Sequence, residues 1–187
     1  MKKISILLSS ALMIITLLIG FGFGYYLTPE YQISMKENKT MDLGTADRLL
    51  DLRYLNAMIA HPRAAMILAE QAGKNSARPE IQALSKNILA DEPGAIAELY
   101  QSKKDWYNDS RLVRDPLVVN LGDYDEKFDL RFLNALIAHH DAGILMTKET
   151  RSKSSRTEVL NNIDAVEKFL TDTSVVLKGW RLDWYNL

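Results

Sequence analysis

Shifted against itself by 78 residues, the chain aligns residues 51–108 with residues 129–186 without a gap, and 18 of the 58 pairs are identical. The identities gather at both ends of the unit. Asp-Leu-Arg-aromatic-Leu-Asn-Ala-x-Ile-Ala-His opens each copy, at Asp51 to His61 and at Asp129 to His139, and Asp-Trp-Tyr-Asn closes each copy. Between them Ser76, Arg78 and Glu80 recur as Ser154, Arg156 and Glu158. A repeat of this length is one supersecondary unit that cannot bury its apolar face alone, so the two copies must stack on each other to form a shared core.

Each copy has the pattern of a helical pair. In the first, Thr45 is placed to cap a helix whose apolar positions Leu49, Leu52, Leu55, Ile59 and Ala60 recur at helical spacing, and Gly73 supplies the stop. A second helix begins near Pro79, a favoured first-turn position, and Pro93-Gly94 is expected to kink or break it. The second copy repeats the plan over residues 124–150 and 155–180 without the proline. No period-two alternation marks a strand. The expected fold is all-α: an up-and-down four-helix bundle made of two helical hairpins. The expected divisions are an N-terminal segment 1–27, a linker 28–46, repeat 1 over 47–109, a crossover loop 110–123 and repeat 2 over 124–187.

All three histidines fall at one place in the repeat: His61 in copy one, His139 and His140 in copy two. On a helix His139 and Met146, seven apart, share a face with Gly143 between them, while Met58, His61 and Ala65 occupy the matching face of copy one. Small residues at Ala65 and Gly143 let two helices approach closely and bring the histidine faces together. Imidazole with thioether is a soft ligand set suited to copper. The alternative is that the histidines are buried hydrogen-bonding groups and the methionines core filler. Asn56 and Asn134 stand one turn or so before the histidines, where they either orient an imidazole or make a structural hydrogen bond.

Asp51, Arg53, Asp129 and Arg131 are expected to pair or to cap the helix starts, and Trp106, Tyr107, Trp184 and Tyr185 to pack the ends of the second helices. The glycosylation sequons at Asn38 and Asn108 matter only in a host that uses them. There is no Glu-x-x-His pair of a di-iron bundle, no His-Glu-x-x-His, no phosphate-cradling glycine loop and no nucleophile elbow, so the reading is a binding protein and not an enzyme.

The run Phe132 to Met146 resembles the core of the domain of unknown function 305 family, whose pattern is an aromatic, then Met-Ile-x-His-His, two residues, a small residue, and Met six after the second His. The resemblance covers both repeats. It implies a ferritin-like helical bundle, commonly exported, with members that bind copper in metal handling outside the cytoplasm. Carried over position by position, it points to His139, His140 and Met146 in copy two and to Met58 and His61 in copy one. Copy one departs from the pattern with Pro62 for the second His and Leu68 for the Met, and copy two with Leu136 for the first Met. Met35 and Met41 are isolated in the linker, where copper-binding members carry Met-rich segments.

The N-terminus gives the address. Lys2 and Lys3 precede an uncharged stretch over residues 4–27, and 24 residues at ~1.5 Å rise each span a ~30 Å hydrocarbon core. Tyr25, Tyr26 and Tyr31 lie where an interfacial aromatic belt would sit, and the lysines hold the N-terminus inside. A cleaved secretory signal is the alternative, although Gly22 and Gly24 form a poor small-x-small site. Either way the rest of the chain is expected outside the cytoplasm, with the membrane as a partner through this segment. Lys and Arg total 23 against 24 Asp and Glu, so a net charge of -1 offers nothing to nucleic acid, and a protein partner is left unspecified. With no cysteine, disulfides and thiolate sites are excluded. Retention of residues 1–27 in the mature membrane-bound protein is the outcome expected of an anchor; N-terminal sequencing that starts at Tyr25 or later would mark a cleaved signal instead.

Overall fold

The computed structural model describes residues 43–187, so the hydrophobic segment and most of the linker lie outside the described residues. Four long helices follow: α1 Leu50–Asn75, α2 Pro79–Tyr107, α3 Phe128–Arg151 and α4 Thr157–Tyr185. Among the described residues there is no strand, and no helix is long and apolar enough to cross a membrane. The helices pack as hairpins, α1 on α2 and α3 on α4, and the two hairpins meet through α1 and α3.

The order of directions differs from a simple up-and-down bundle. Asp51, at the start of α1, accepts from Ser154 Oγ at 2.6 Å and pairs with Arg156 at 3.2 Å, so α1 starts where α3 ends. Arg78, before α2, pairs with Asp129 at the start of α3 at 3.2 Å. α2 and α3 therefore start at the same end of the bundle, and the chain runs up, down, down, up. The connection between them must travel the length of the molecule. It does so along α1, held by Arg63 Nη1 donating to Val113 O at 2.8 Å and by the Gln71 amide, which donates to Val119 O at 2.9 Å and accepts Leu121 N–H at 2.7 Å.

The repeat is longer than sequence identity alone marks. Arg53 donates to the carbonyls of Leu43 and Thr45 and to Asp47, and Arg131 donates to the carbonyls of Leu121 and Asp123 and to Asp125. Gly44 and Gly122 both hold φ +77°, where a side chain would be strained. The unit thus includes the turn before each first helix. That turn replaces the expected Thr45 cap: Asp47 Oδ1 takes the Leu49 N–H at 2.8 Å, and Leu49, at the cap position of α1, supplies no side-chain bond.

Two other expectations change. α2 runs through Pro93 without ending, and Pro93 and Gly94 are exposed on its outer face. Gly73 lies inside α1, which stops at Asn75. The kept Asp-Trp-Tyr-Asn closings have a simple cause: Asn108 and Asn186 cap α2 and α4 in the left-handed conformation, at φ 50° and 56°, a role asparagine fills better than most residues.

The kept arginines exchange between copies. Arg78 of copy one lies 4.0 Å over the Trp184 ring of copy two, and Arg156 of copy two lies 4.5 Å over Trp106 of copy one, each also paired with the other copy's aspartate. These reciprocal clamps define a pseudo-twofold axis through the α1/α3 contact. Each combines a half-buried ion pair with a cation–π contact, so Arg78→Ala and Arg156→Ala should each lower unfolding free energy by about 1–2 kcal/mol. Because the clamps sit at opposite ends of the bundle, the double variant should lose the sum. Denaturant titration of the four chains checks both statements.

Candidate functional site

At the pseudo-twofold axis α1 and α3 come close enough for their equivalent histidines to touch. The His61 and His139 rings stack with centroids 3.7 Å apart and 13° between planes. Gly143 permits this. A Cβ built there would lie 2.7 Å from His61 Cε1 and Nε2 and 2.6 Å from Leu170 Cδ1, so α3 offers bare backbone to a ring from α1. His139 and His140 are buried, and the His140 ring sits 6.0 Å from His139 and 6.3 Å from Phe169 on α4.

The rings are neutral. Burial lowers His61 to about 3, with the nearby His140 adding to the shift. Burial also holds His139 well below its ordinary range, helped by His61 and His140. His140 is lowered to about 4 by burial, against the opposing pull of Asp141 and of a backbone hydrogen bond with Leu170. A neutral imidazole has a free lone pair, which is the form a metal ion requires. His61 Nε2 is buried and has no hydrogen-bond partner. The His61 residue lines a cavity of about 80 Å³ together with Met58, His139, His140, Glu92 and Phe169. The Glu92 carboxyl is raised by its own burial and by Asp91.

The core is divided at the histidine layer. Met58 and Met146 belong to one cluster, with Tyr54, Leu55, Ile59 and Ile163. Their repeat equivalents, Leu136 and Leu68, belong to the other, with Phe128, Phe132 and Leu177. Copy one thus supplies Met58 and His61, copy two supplies Met146, and the antiparallel contact of α1 with α3 puts both methionines in the same half. Met146 is buried in that cluster and does not line the histidine cavity.

The fit to a metal ion is selective. Stacked rings have their lone pairs in parallel planes 3.7 Å apart, so with metal–nitrogen bonds of about 2 Å they cannot both reach one ion as they stand. Among the described residues no group of three or more His, Asp or Glu is arranged to hold a metal. An ion shared by His61 and His139 therefore does not fit this geometry. The donor chemistry suits a soft ion instead: His61 Nε2 is neutral, buried and unpartnered, and His61 and Met58 line the same cavity.

The asparagines do not orient the histidines. Asn134 Oδ1 accepts from Arg181 at 3.0 Å, and Asn56 Oδ1 is buried without a partner. The polar atom facing a ring is Ser174 Oγ, 3.5 Å from His140 Nδ1. Ser174, Phe169 and Glu92 carry no repeat signal, since their equivalents are Ile96, Asp91 and Leu170. Only the absence of a side chain at Gly143 pointed to the close approach.

No family model matches the chain, and no curated protein does. Solved structures do. CopM in the Cu(I)-bound form matches with TM-score 0.62 at 24% identity, over 71% of this chain and 95% of that one. CopM in the apo form matches equally, at TM-score 0.62 and 24% identity, over 71% and 96%. CopM in the Cu(II)-bound form gives TM-score 0.61 at 23% identity, over 72% and 97%. At this identity the likeness is one of fold.

Two outcomes test the geometry. Gly143→Ala gains about 1 kcal/mol of helix propensity, but its methyl drives into a ring fixed by stacking, an overpacking cost of about 1–3 kcal/mol; net destabilisation is expected in thermal melts. The second concerns acid. The folded histidines titrate below the unfolded value of 6.5, so the unfolded state takes up protons first and stability is complete above that value. It is lost as pH falls from 6.5 towards 3. Urea midpoints of the metal-free protein should drop across this window, and the drop should be shallower in His61→Leu with His139→Leu.

Proposed function

We propose that the chain is a non-enzymatic, ferritin-like bundle, tethered outside the cytoplasm by its N-terminal segment, that binds copper as Cu(I) for metal handling. The observation that carries this reading is the buried, neutral, unpartnered Nε2 of His61 beside Met58. Burial has desolvated a good donor and supplied no hydrogen bond in return, which costs about 1–3 kcal/mol. A soft ion at that atom would offset the cost. In this assignment His61 and Met58 are the ligands, and Met146 packs in the same half of the core as Met58. His139 holds the His61 ring by stacking, and His140 lines the cavity wall. The resemblance of the segment around His139 to the domain of unknown function 305 family supports the reading, as does the fold shared with CopM, whose solved forms include Cu(I)-bound, Cu(II)-bound and Ag-bound states.

The up, down, down, up order with one long crossover supports the ferritin-like class, because ferritin-like folds use one such connection. Lys2 and Lys3 ahead of the uncharged stretch support the tether and its orientation.

A second reading keeps the fold without the metal, as a structural or protein-interaction module. The observation in its favour is that the stacked pair packs as a complete element and that, among the described residues, no three His, Asp or Glu side chains are placed to hold a metal ion.

Isothermal titration of the purified protein with Cu(I) and Cu(II) separates the two. The metal reading expects Cu(I) binding with Kd at or below about 1 μM, weakened at least about tenfold, or ~1.4 kcal/mol, by either His61→Ala or Met58→Leu. Absence of Cu(I) binding leaves the metal-free module, and unchanged affinity in His61→Ala overturns the assignment of His61 as a ligand.

A further inference from the structure

α2 and α4 each pack on the inner helices but make little contact with each other. The seam between them holds two cavities: the histidine cavity and a larger one of about 350 Å³. The two share Met58, Pro62 and Val166, so the larger cavity adjoins the proposed site directly. Its lining includes the exposed Glu98 and Glu158 and, on α2, Ser102 and Trp106.

The pseudo-twofold axis places a different residue at the matching point of the other end of the seam. The residue equivalent to Ser102 is Trp180, and Trp180 packs against the core at the other end of the seam and stacks on Trp184 with centroids 5.4 Å apart. An indole fills one end of the seam. A hydroxymethyl group leaves the other open. The open end is the methionine half, where Met58 and Met146 lie, and the filled end is the leucine half, with Leu68 and Leu136. Two independent asymmetries between otherwise repeated copies therefore coincide.

We propose that the open end of the α2/α4 seam is the loading path of the site, taken by a soft monovalent cation such as Cu(I) or Ag(I). This rests on the metal reading above. The ion is gathered by the two exposed carboxylates, passes Ser102, and reaches Met58 and His61 Nε2 through the shared wall of the two cavities. The inner wall is apolar and offers a thioether and an imidazole, which replace water around a soft ion and do not replace it around a hard, strongly hydrated one. The carboxylates act at long range, raising the local cation concentration at the mouth.

The test is the rate of Cu(I) uptake by the full chain in detergent, followed by the absorbance of a weak Cu(I) chelator that donates the ion. Ser102→Trp copies the plugged end and should slow uptake by about tenfold or more while equilibrium affinity stays within about threefold, because no ligand is touched. Ser102→Ala should load as the unsubstituted chain does. Glu98→Lys with Glu158→Lys, at two exposed positions, should slow uptake by about tenfold at low salt, with the difference shrinking as salt is added. A folded Ser102→Trp chain that loads at the unsubstituted rate overturns the path, as does one whose affinity falls in step with its rate, since that places Ser102 in the binding site. Should Ser102→Trp not fold, the double lysine variant loading normally at low salt overturns it. A chain that takes up no Cu(I) at all overturns the metal reading itself, which is a different failure.

Discussion

Everything in the bundle is arranged around the contact of α1 with α3 at the His61 and His139 stack. Two helix axes can come this close only where one of them lacks a side chain, and Gly143 provides that place. The contact fixes the register of the two hairpins, and with it which residues of copy one meet which residues of copy two. It also buries two imidazoles so thoroughly that both stay neutral at neutral pH. Structural and chemical consequences thus have one cause. The packing that joins the copies is the packing that makes His61 a free donor.

Around this centre the copies behave as equals. Arg53 and Arg131 organise the same turn, Arg78 and Arg156 cross to the other copy's aspartate and tryptophan, and Asn108 and Asn186 end the outer helices in the same strained conformation. These positions form the frame, and their side chains have work to do at both ends. The residues lining the core and the seam are under no such demand, and there the copies have diverged: Met58 against Leu136, Met146 against Leu68, Pro62 against His140, Ser102 against Trp180. A duplicated bundle can hold a one-sided site because the frame keeps the symmetry while the lining gives it up.

The sequence made the frame legible and the site only partly so. Four helices, the boundary at Pro79, the small residue at Gly143 and the histidine positions could all be read from spacing, because each depends on local periodicity or on a residue kept in both copies. The chain direction of α3 could not, since helical periodicity is the same for either direction and only the pairs of Asp51 with Arg156 and Arg78 with Asp129 reveal it. The turn from Leu43 to Leu49 was hidden for a different reason: its identities, Leu43 with Leu121, Gly44 with Gly122 and Asp47 with Asp125, are too sparse to extend the repeat until the arginine that reads them is seen.

The same missing direction misled the sequence view of the histidine and methionine set. Counted copy by copy, repeat 2 keeps more of the set, with His139, His140 and Met146 against Met58 and His61 in repeat 1. Antiparallel packing makes the copy the wrong unit. Residues before the axis in one copy face residues after it in the other, so Met58 shares its half of the core with Met146, and His61 lines the same cavity as Met58. The axis also limits what symmetric residues can do. Here the two equivalent histidines on it stack in near-parallel planes 3.7 Å apart, a geometry in which they do not converge on one ion. In this packing a convergent donor set would come from positions off the axis, where the two copies differ, as they do in the methionine half.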